Sequence, residues 1–242
     1  MKIIKYCKIS TNKYELTLED NTKIKLYEDI ILKEELLLKK EIDDLEQLLI
    51  KNSQYQIYDI SLKYLNHHVI SINGFKEYLE KKKYSQEDIN NTIDKLINKG
   101  FLNDSYYAKC YINDHLNLSI DGPLKIKRHL ENHHIDANVY YDLLDKDNSF
   151  WINRINKYLD KQLKVNKKSL YLFKNKMLLN LINLGYEKEM INECLNKINT
   201  DNQEELKQKE REKIRIKLSR KYSGDELERK IKEKLYQKGF FN

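Results

Sequence analysis

The stretch IKEKLYQKGFFN, residues 231–242, sets the fold of this chain. Its apolar residues Ile231, Leu235 and Phe240 are spaced by four and then five, with Gly239 between the last two. An i, i+4 pair buries one face of a helix. Glycine beyond the last turn supplies a left-handed C-cap, and the apolar residue after it closes the hydrophobic contact that accompanies such caps. The same spacing recurs upstream at Met177, Leu181 and Tyr186, at Ile126, Leu130 and Ile135, and at Phe75, Leu79 and Tyr84. Successive copies are offset by 51, 51 and 54 residues. The first three copies continue into a second apolar pair, Ile89 with Ile93, Tyr140 with Leu144, and Ile191 with Leu195. A five-position pattern at nearly constant offset is the mark of a repeat array. Gly185 and Gly239 occupy the cap in two copies, while Lys83 and His134 stand there in the others.

A further helix is expected ahead of each copy, over about 57–66, 105–115, 149–163 and 204–219. The unit is therefore three helices in roughly 50 residues, stacked in tandem. The expected fold class is mainly α, an elongated and curved array of three-helix repeats with a small β-rich segment at the N-terminus. The expected divisions are 1–52 for that strand and helix segment, 53–102, 103–147 and 148–200 for repeats one to three, and 201–242 for a basic fourth repeat truncated before its third helix.

Residues 1–27 differ from the rest. KIIKYCKIS, KYELTLE and KIKLYE are short, β-branched or aromatic, and separated by turn residues at Thr11-Asn12 and Asp20-Asn21, which predicts an antiparallel meander. From residue 28 to about 51 the pattern turns helical. The 242-residue chain holds 6 Gly and 1 Pro, so turn-rich all-β folds are excluded in favour of helices. Charged residues at 34% against 40% hydrophobic ones describe a folded, soluble protein. Cys7, Cys110 and Cys194 stand far apart without a CxxC pair, which fits reduced thiols in cytoplasm. No apolar run is long enough for a signal peptide or a membrane span, so a cytoplasmic monomer without membrane contact is expected. The net charge of +7 suits phosphates or acidic protein surfaces as partners.

Residues 96–136 read LINKGFLNDSYYAKCYINDHLNLSIDGPLKIKRHLENHHID. Leu96 and Gly100 form a Leu-x-x-x-Gly turn, followed by Asn103-Asp104, the aromatic-Ala step Tyr107-Ala108, and Gly122-Pro123 opening a basic helix with Lys125, Lys127 and Arg128. This succession resembles the RecX family, bacterial regulators of the RecA recombinase. Gly74-Phe75 departs from that family's usual Glu-Leu, and His133-His134 from its usual Lys-Gly. The resemblance implies a helical repeat protein that lodges along the RecA–DNA filament and inhibits recombinase, ATPase and coprotease activities, modulating DNA repair and the SOS response. The competing expectation is a helical repeat protein that grips single-stranded or duplex DNA directly, with only a secondary effect on recombinase. A third is an adaptor of the armadillo or HEAT type with no recombinase effect.

The residues themselves suggest binding and no catalysis. There is no P-loop, no dinucleotide fingerprint and no nucleophile elbow, so neither enzyme nor cofactor is expected. His129 and His133 are one turn apart but border the Ile126/Leu130 stripe and lack a third ligand, so no metal is expected. Asp104 is expected to cap the helix that follows, and Gly122-Pro123 to start a helix with proline at its first position, an anion at that start being the lesser reading. Lys125, Lys127 and Arg128 project away from the buried stripe as partner or DNA contacts. From Gln203 onward thirteen Lys and Arg face eight Asp and Glu. There Lys209, Lys213 and Lys217 form one i, i+4 ladder, and Lys207, Arg211 and Arg215 another. Lys209, Arg211, Lys213, Arg215 and Lys217 are the second set of candidate contacts, against the plainer reading of a solvated helix laced with Glu–Lys pairs.

Overall fold

The computed structural model describes residues 1–166, 168–198 and 203–241. The expected division at 200–201 and the terminal Asn242 lie outside the described residues. The chain divides into two compact units, Met1–Tyr107 and Ala108–Asn242. It is mainly helical, with one small sheet at the N-terminus.

In the first unit, β1 (Ile3–Ser10), β2 (Lys13–Leu18) and β3 (Lys23–Tyr27) form an antiparallel meander in sequence order. Leu16 pairs with Ile24 and Tyr14 with Leu26, so Leu16, Leu18, Ile24 and Leu26 share one buried face. That face needs a cover, because three short strands are marginal alone. The cover comes from Ile30 and Ile31 of α1 (Glu28–Lys33), Leu36 of α2 (Leu36–Lys39) and Leu48 of α3 (Leu45–Leu65). The helical stretch expected over 28–51 is thus broken twice, at Glu35 and Lys40, whose φ values of 54° and 53° are left-handed.

The helix expected over 57–66 is the second half of α3. Asp44 accepts the Gln47 N–H at 3.0 Å as an N-cap, and no glycine or proline interrupts the run from there to Leu65. Residues 52–53 consequently lie inside a helix. Asn52 ties that helix to the sheet, accepting the Tyr27 N–H and donating to the Lys25 carbonyl. Further along, Ile57 packs with Phe75 and Leu79 of α4 (Ile72–Lys81) and with Ile89, Ile93 and Leu96 of α5 (Gln86–Asn98). Ser71 and Ser85 cap those two helices.

α6 (Asp104–Leu118) begins in the first unit and ends in the second. Asp104 does not cap it. Asn103 accepts the Tyr106 N–H at 3.0 Å, whereas Asp104 lies inside the first turn and accepts the Ile72 N–H at 2.8 Å. Its carboxylate therefore joins the start of α6 to the orphan donors at the start of α4.

The second unit continues with α7 (Pro123–Asn132), α8 (Ala137–Leu144), α9 (Asn148–Lys164), α10 (Leu170–Asn183), α11 (Lys188–Asn196), α12 (Gln203–Leu218) and α13 (Gly224–Gln237). No strand follows Tyr27 among the described residues. Trp151, Ile155, Leu159, Phe173, Met177, Leu181, Tyr186 and Ile191 make one core, and Ile214, Ile231 and Leu235 a smaller one. Leu79, Leu130 and Leu181 are fully buried and Leu235 is 6% exposed, so the recurrent leucine faces inward in every copy.

All four caps are left-handed, the non-glycine Lys83 and His134 included. φ is 63° at Lys83, 58° at His134, 86° at Gly185 and 77° at Gly239. In three of them the next residue donates back to the recurrent leucine, Ile135 to Leu130 O, Tyr186 to Leu181 O and Phe240 to Leu235 O. Two of these caps also meet the starts of other helices. Gly122 donates to Leu184 O at 2.7 Å and Leu124 to Gly185 O at 3.0 Å, seating the α10 cap on the start of α7. A Cβ on Gly122 would stand 2.5 Å from Gly185 O, and one on Gly185 2.6 Å from Lys125 Cβ. The α13 cap meets the start of α10 likewise: Ser169 Oγ donates to Lys238 O at 2.7 Å, and a Cβ on Gly239 would lie 2.6 Å from that Oγ.

Candidate partner-binding surface

α7 buries Ile126 and Leu130 completely and turns Lys125, Lys127 and Arg128 outward. Pro123 sits at its first position, where a missing N–H costs nothing. The start of this helix is no anion site, because the Leu184 and Gly185 carbonyls already meet its backbone donors. Lys125 Nζ reaches Asp121 Oδ1 at 2.7 Å, and His115 Nδ1 lies 2.8 Å from Asp121 Oδ2. Burial alone would raise the Asp121 pKa, but the hydrogen bonds from Lys125 and His115 outweigh it and hold the carboxyl below its ordinary range. Lys125 thus has an internal structural partner. Lys127 faces Glu131 at 3.8 Å across exposed surface, and Arg128 is exposed.

His129 of α7 and His133, its C-cap, pack as the boundary reading expects. His129 stacks on Tyr111 of α6 with ring centroids 4.0 Å apart and planes 5° apart, and His133 follows at 4.5 Å. Burial, then the neighbouring His133 and His115, push the His129 pKa below its ordinary value. Among the described residues, no group of three or more His, Cys, Asp or Glu side chains is placed to hold a metal ion.

α12 and α13 form a hairpin whose interior is Ile214, Ile231 and Leu235. The basic ladders are laced with acids as well as exposed. Lys209 pairs with Glu205, Arg211 with Glu228 of α13 at 2.7 Å, and Lys213 with Glu210 at 3.5 Å. Arg215 and Lys217 stand exposed in the last turn. The structure also brings forward two lysines that the sequence reading did not single out, Lys234 of α13 and Lys238 at its C-cap. With Lys213 and Lys217 they surround an open groove of about 420 Å³ floored by Ile214, Ile216 and Leu218. Their signal was the i, i+4 spacing beside Ile231 and Leu235, which reads as solvated charge until the facing helix is known.

Arg154 was also missed. It donates to the Leu116, His115 and Ser119 carbonyls at 2.6, 3.3 and 2.7 Å, closing the exposed end of α6. Tyr186 Oη adds a bond to Ile120 O at 2.9 Å. Both anchor the segment that leads into α7, yet nothing local in the sequence marks an arginine whose carbonyl partners lie 35 to 39 residues away.

No family model matches the chain. Among individual proteins, it is 28% identical to the regulatory protein RecX of Bacillus cereus (strain G9842) over 223 residues, covering 87% of this chain and 81% of that protein. It is 27% identical to the regulatory protein RecX of Bacillus subtilis (strain 168) over 246 residues, covering 96% and 91%. A crystal structure of regulatory protein RecX superposes with a TM-score of 0.61 at 18% identity, covering 81% of this chain and 99% of that one. RecX from Lactobacillus salivarius superposes at 0.52 with 23% identity, covering 60% and 95%. At these identities the solved structures speak to the fold. The similarity first read from residues 96–136 extends over most of the chain.

Proposed function

We propose that this relative of the RecX regulatory proteins binds the RecA–DNA filament and restrains its recombinase, ATPase and coprotease activities, acting in the cytoplasm on DNA repair and the SOS response. The similarity over 87% and 96% of the chain to two proteins named regulatory protein RecX carries this reading. The protein acts by contact and performs no chemistry of its own. Its helical triplets are repeat units, and it works as a monomer. The exposed cations Lys127 and Arg128 of α7, with Arg215 and Lys217 of α12, make the first contacts with phosphate or acidic protein surface.

The test is a titration of the purified protein into preformed RecA filaments on single-stranded DNA, following DNA-dependent ATP hydrolysis. Hydrolysis is expected to fall with added protein until it plateaus. An unchanged rate at saturating protein would sink the proposal. The excess of basic residues after Gln203 favours a second reading, in which DNA is gripped directly. Binding to RecA without DNA, compared with binding to DNA without RecA, separates the two.

A further inference from the structure

We infer that the groove between α12 and α13 is a docking seat for an acidic amphipathic helix of a partner protein. The floor is aliphatic. Ile214 and Leu218 lie one turn apart on α12, and Ile216, 59% exposed, stands out between them.

The rim is cationic. Lys213 and Lys217 lie on one side and Lys234 and Lys238 on the other, against the single carboxylate of Glu210. That carboxylate is already engaged by Lys213 and Lys238. Lys234 donates to the Gln237 side-chain oxygen, and Lys217 is exposed. The complement of an aliphatic floor between lysine rows is a helix with an aliphatic stripe flanked by Asp and Glu, the helix-in-groove mode of recognition.

Nucleic acid fits the groove less well. Single strands are held by aromatic platforms, and among the described residues no aromatic side chain lines it. Phosphates alone have no use for an aliphatic floor. The inference stands apart from any role at RecA filaments, since the chemistry of the groove would accept any helix of this kind.

The experiment uses the full chain and a fluorescein-labelled helical peptide with leucine at i, i+4, i+7 and i+11 and glutamate on the other faces. Three controls accompany it: the same residues scrambled to abolish the stripe, a lysine version with the stripe kept, and labelled oligothymidine. A saturable rise in anisotropy is expected with the acidic striped peptide alone. Ile216→Glu should weaken it by about tenfold or more, the loss of an anchor in the groove, and Lys234→Glu should weaken it comparably. Lys81→Glu on α4 should change it by less than about twofold. Ile216 and Lys234 are surface residues, so both variants should keep the wild-type helical circular dichroism. Equal binding of the scrambled peptide would reduce the groove to general electrostatics and overturn the inference. So would oligothymidine displacing the peptide, with both variants losing oligothymidine binding as well, because the seat would then be a nucleic-acid surface.

Discussion

A glycine and a histidine in the same backbone conformation serve this fold at different cost. His134 and Lys83 hold φ values of 58° and 63° without being glycine, which costs roughly 1–2 kcal/mol per residue. Both are exposed, so nothing near their side chains compensates. Replacing either with glycine should raise stability, by about 0.5–1 kcal/mol once glycine's extra freedom in the unfolded chain is allowed for. Urea unfolding of His134→Gly and Lys83→Gly checks the sign. Gly100 and Gly185 provide the opposite contrast. At Gly100 (φ 76°) an added Cβ meets nothing within 4 Å, so Gly100→Ala should cost only the backbone strain, about 1 kcal/mol. At Gly185 the Cβ would collide with the amide and Cβ of Lys125, where α7 begins. Gly185→Ala should cost about 3 kcal/mol, strain plus overpacking of a backbone contact. If the two alanine variants unfold at the same urea concentration, the seating of the α10 cap on α7 contributes nothing to stability. The left-handed caps at Gly185 and Gly239 were legible because glycine and the apolar residue after it are local signals. The collision at Gly185 was not, because its partner Lys125 is 60 residues away.

At the scale of elements, sequence periodicity located the helices well and their limits less well. α6, α9 and α12 begin and end within a few residues of expectation, because a polar or turn-forming segment marks each boundary. α3 was missed as one helix because its buried face changes along its length. Leu48 serves the core under the sheet and Ile57 the core of α4 and α5, so no single stripe runs through it. Asp104 shows the same limit in a single residue. An acid beside a helix start reads as its cap, and only the structure reveals that the start it serves is that of α4. The pairing of α6 with α7 carries a consequence for pH. His129, stacked on Tyr111 beside His133 and His115, has its pKa lowered in the folded protein. The unfolded chain then binds more protons than the folded one as pH falls through the ordinary histidine range, about 6.5. This contribution to stability is complete above that range and is lost as pH drops through it. His129→Phe keeps the ring stack and removes the proton. Its melting temperature should therefore fall less than that of the wild type between pH 7.5 and pH 5.5. Equal falls would mean that His129 does not differ in proton affinity between the folded and unfolded states.

For the whole molecule, the basic tail is both structure and surface, and the two must be separated. Residues 203–242, read from the sequence as part of a truncated fourth repeat, are costly to remove. Ser169, 1% exposed, gives its hydroxyl to Lys238 O, and Leu170 N–H bonds Gln203 Oε1, so the start of α10 is completed by both ends of this hairpin. Deleting 203–242 should lower the stability of the second unit by about 2–3 kcal/mol through those lost partners and the uncovered apolar surface, visible as a lower urea midpoint. Truncation therefore confounds folding with function. Charge reversal at Arg215 and Lys217 does not, because both side chains are exposed in the last turn of α12 and, among the described residues, no salt bridge to a carboxylate involves either. Arg215→Glu/Lys217→Glu should keep the wild-type urea midpoint and weaken inhibition of RecA filaments most strongly at low salt, where surface charge is least screened. If those cations meet phosphates, the slope of log affinity against log salt should flatten by about 2, since each released phosphate contact contributes nearly one. A loss of inhibition with an unchanged slope would place them on acidic protein surface, with few counterions released. Wild-type inhibition at every salt concentration would leave them a solvated face, with the weight of recognition falling on α7.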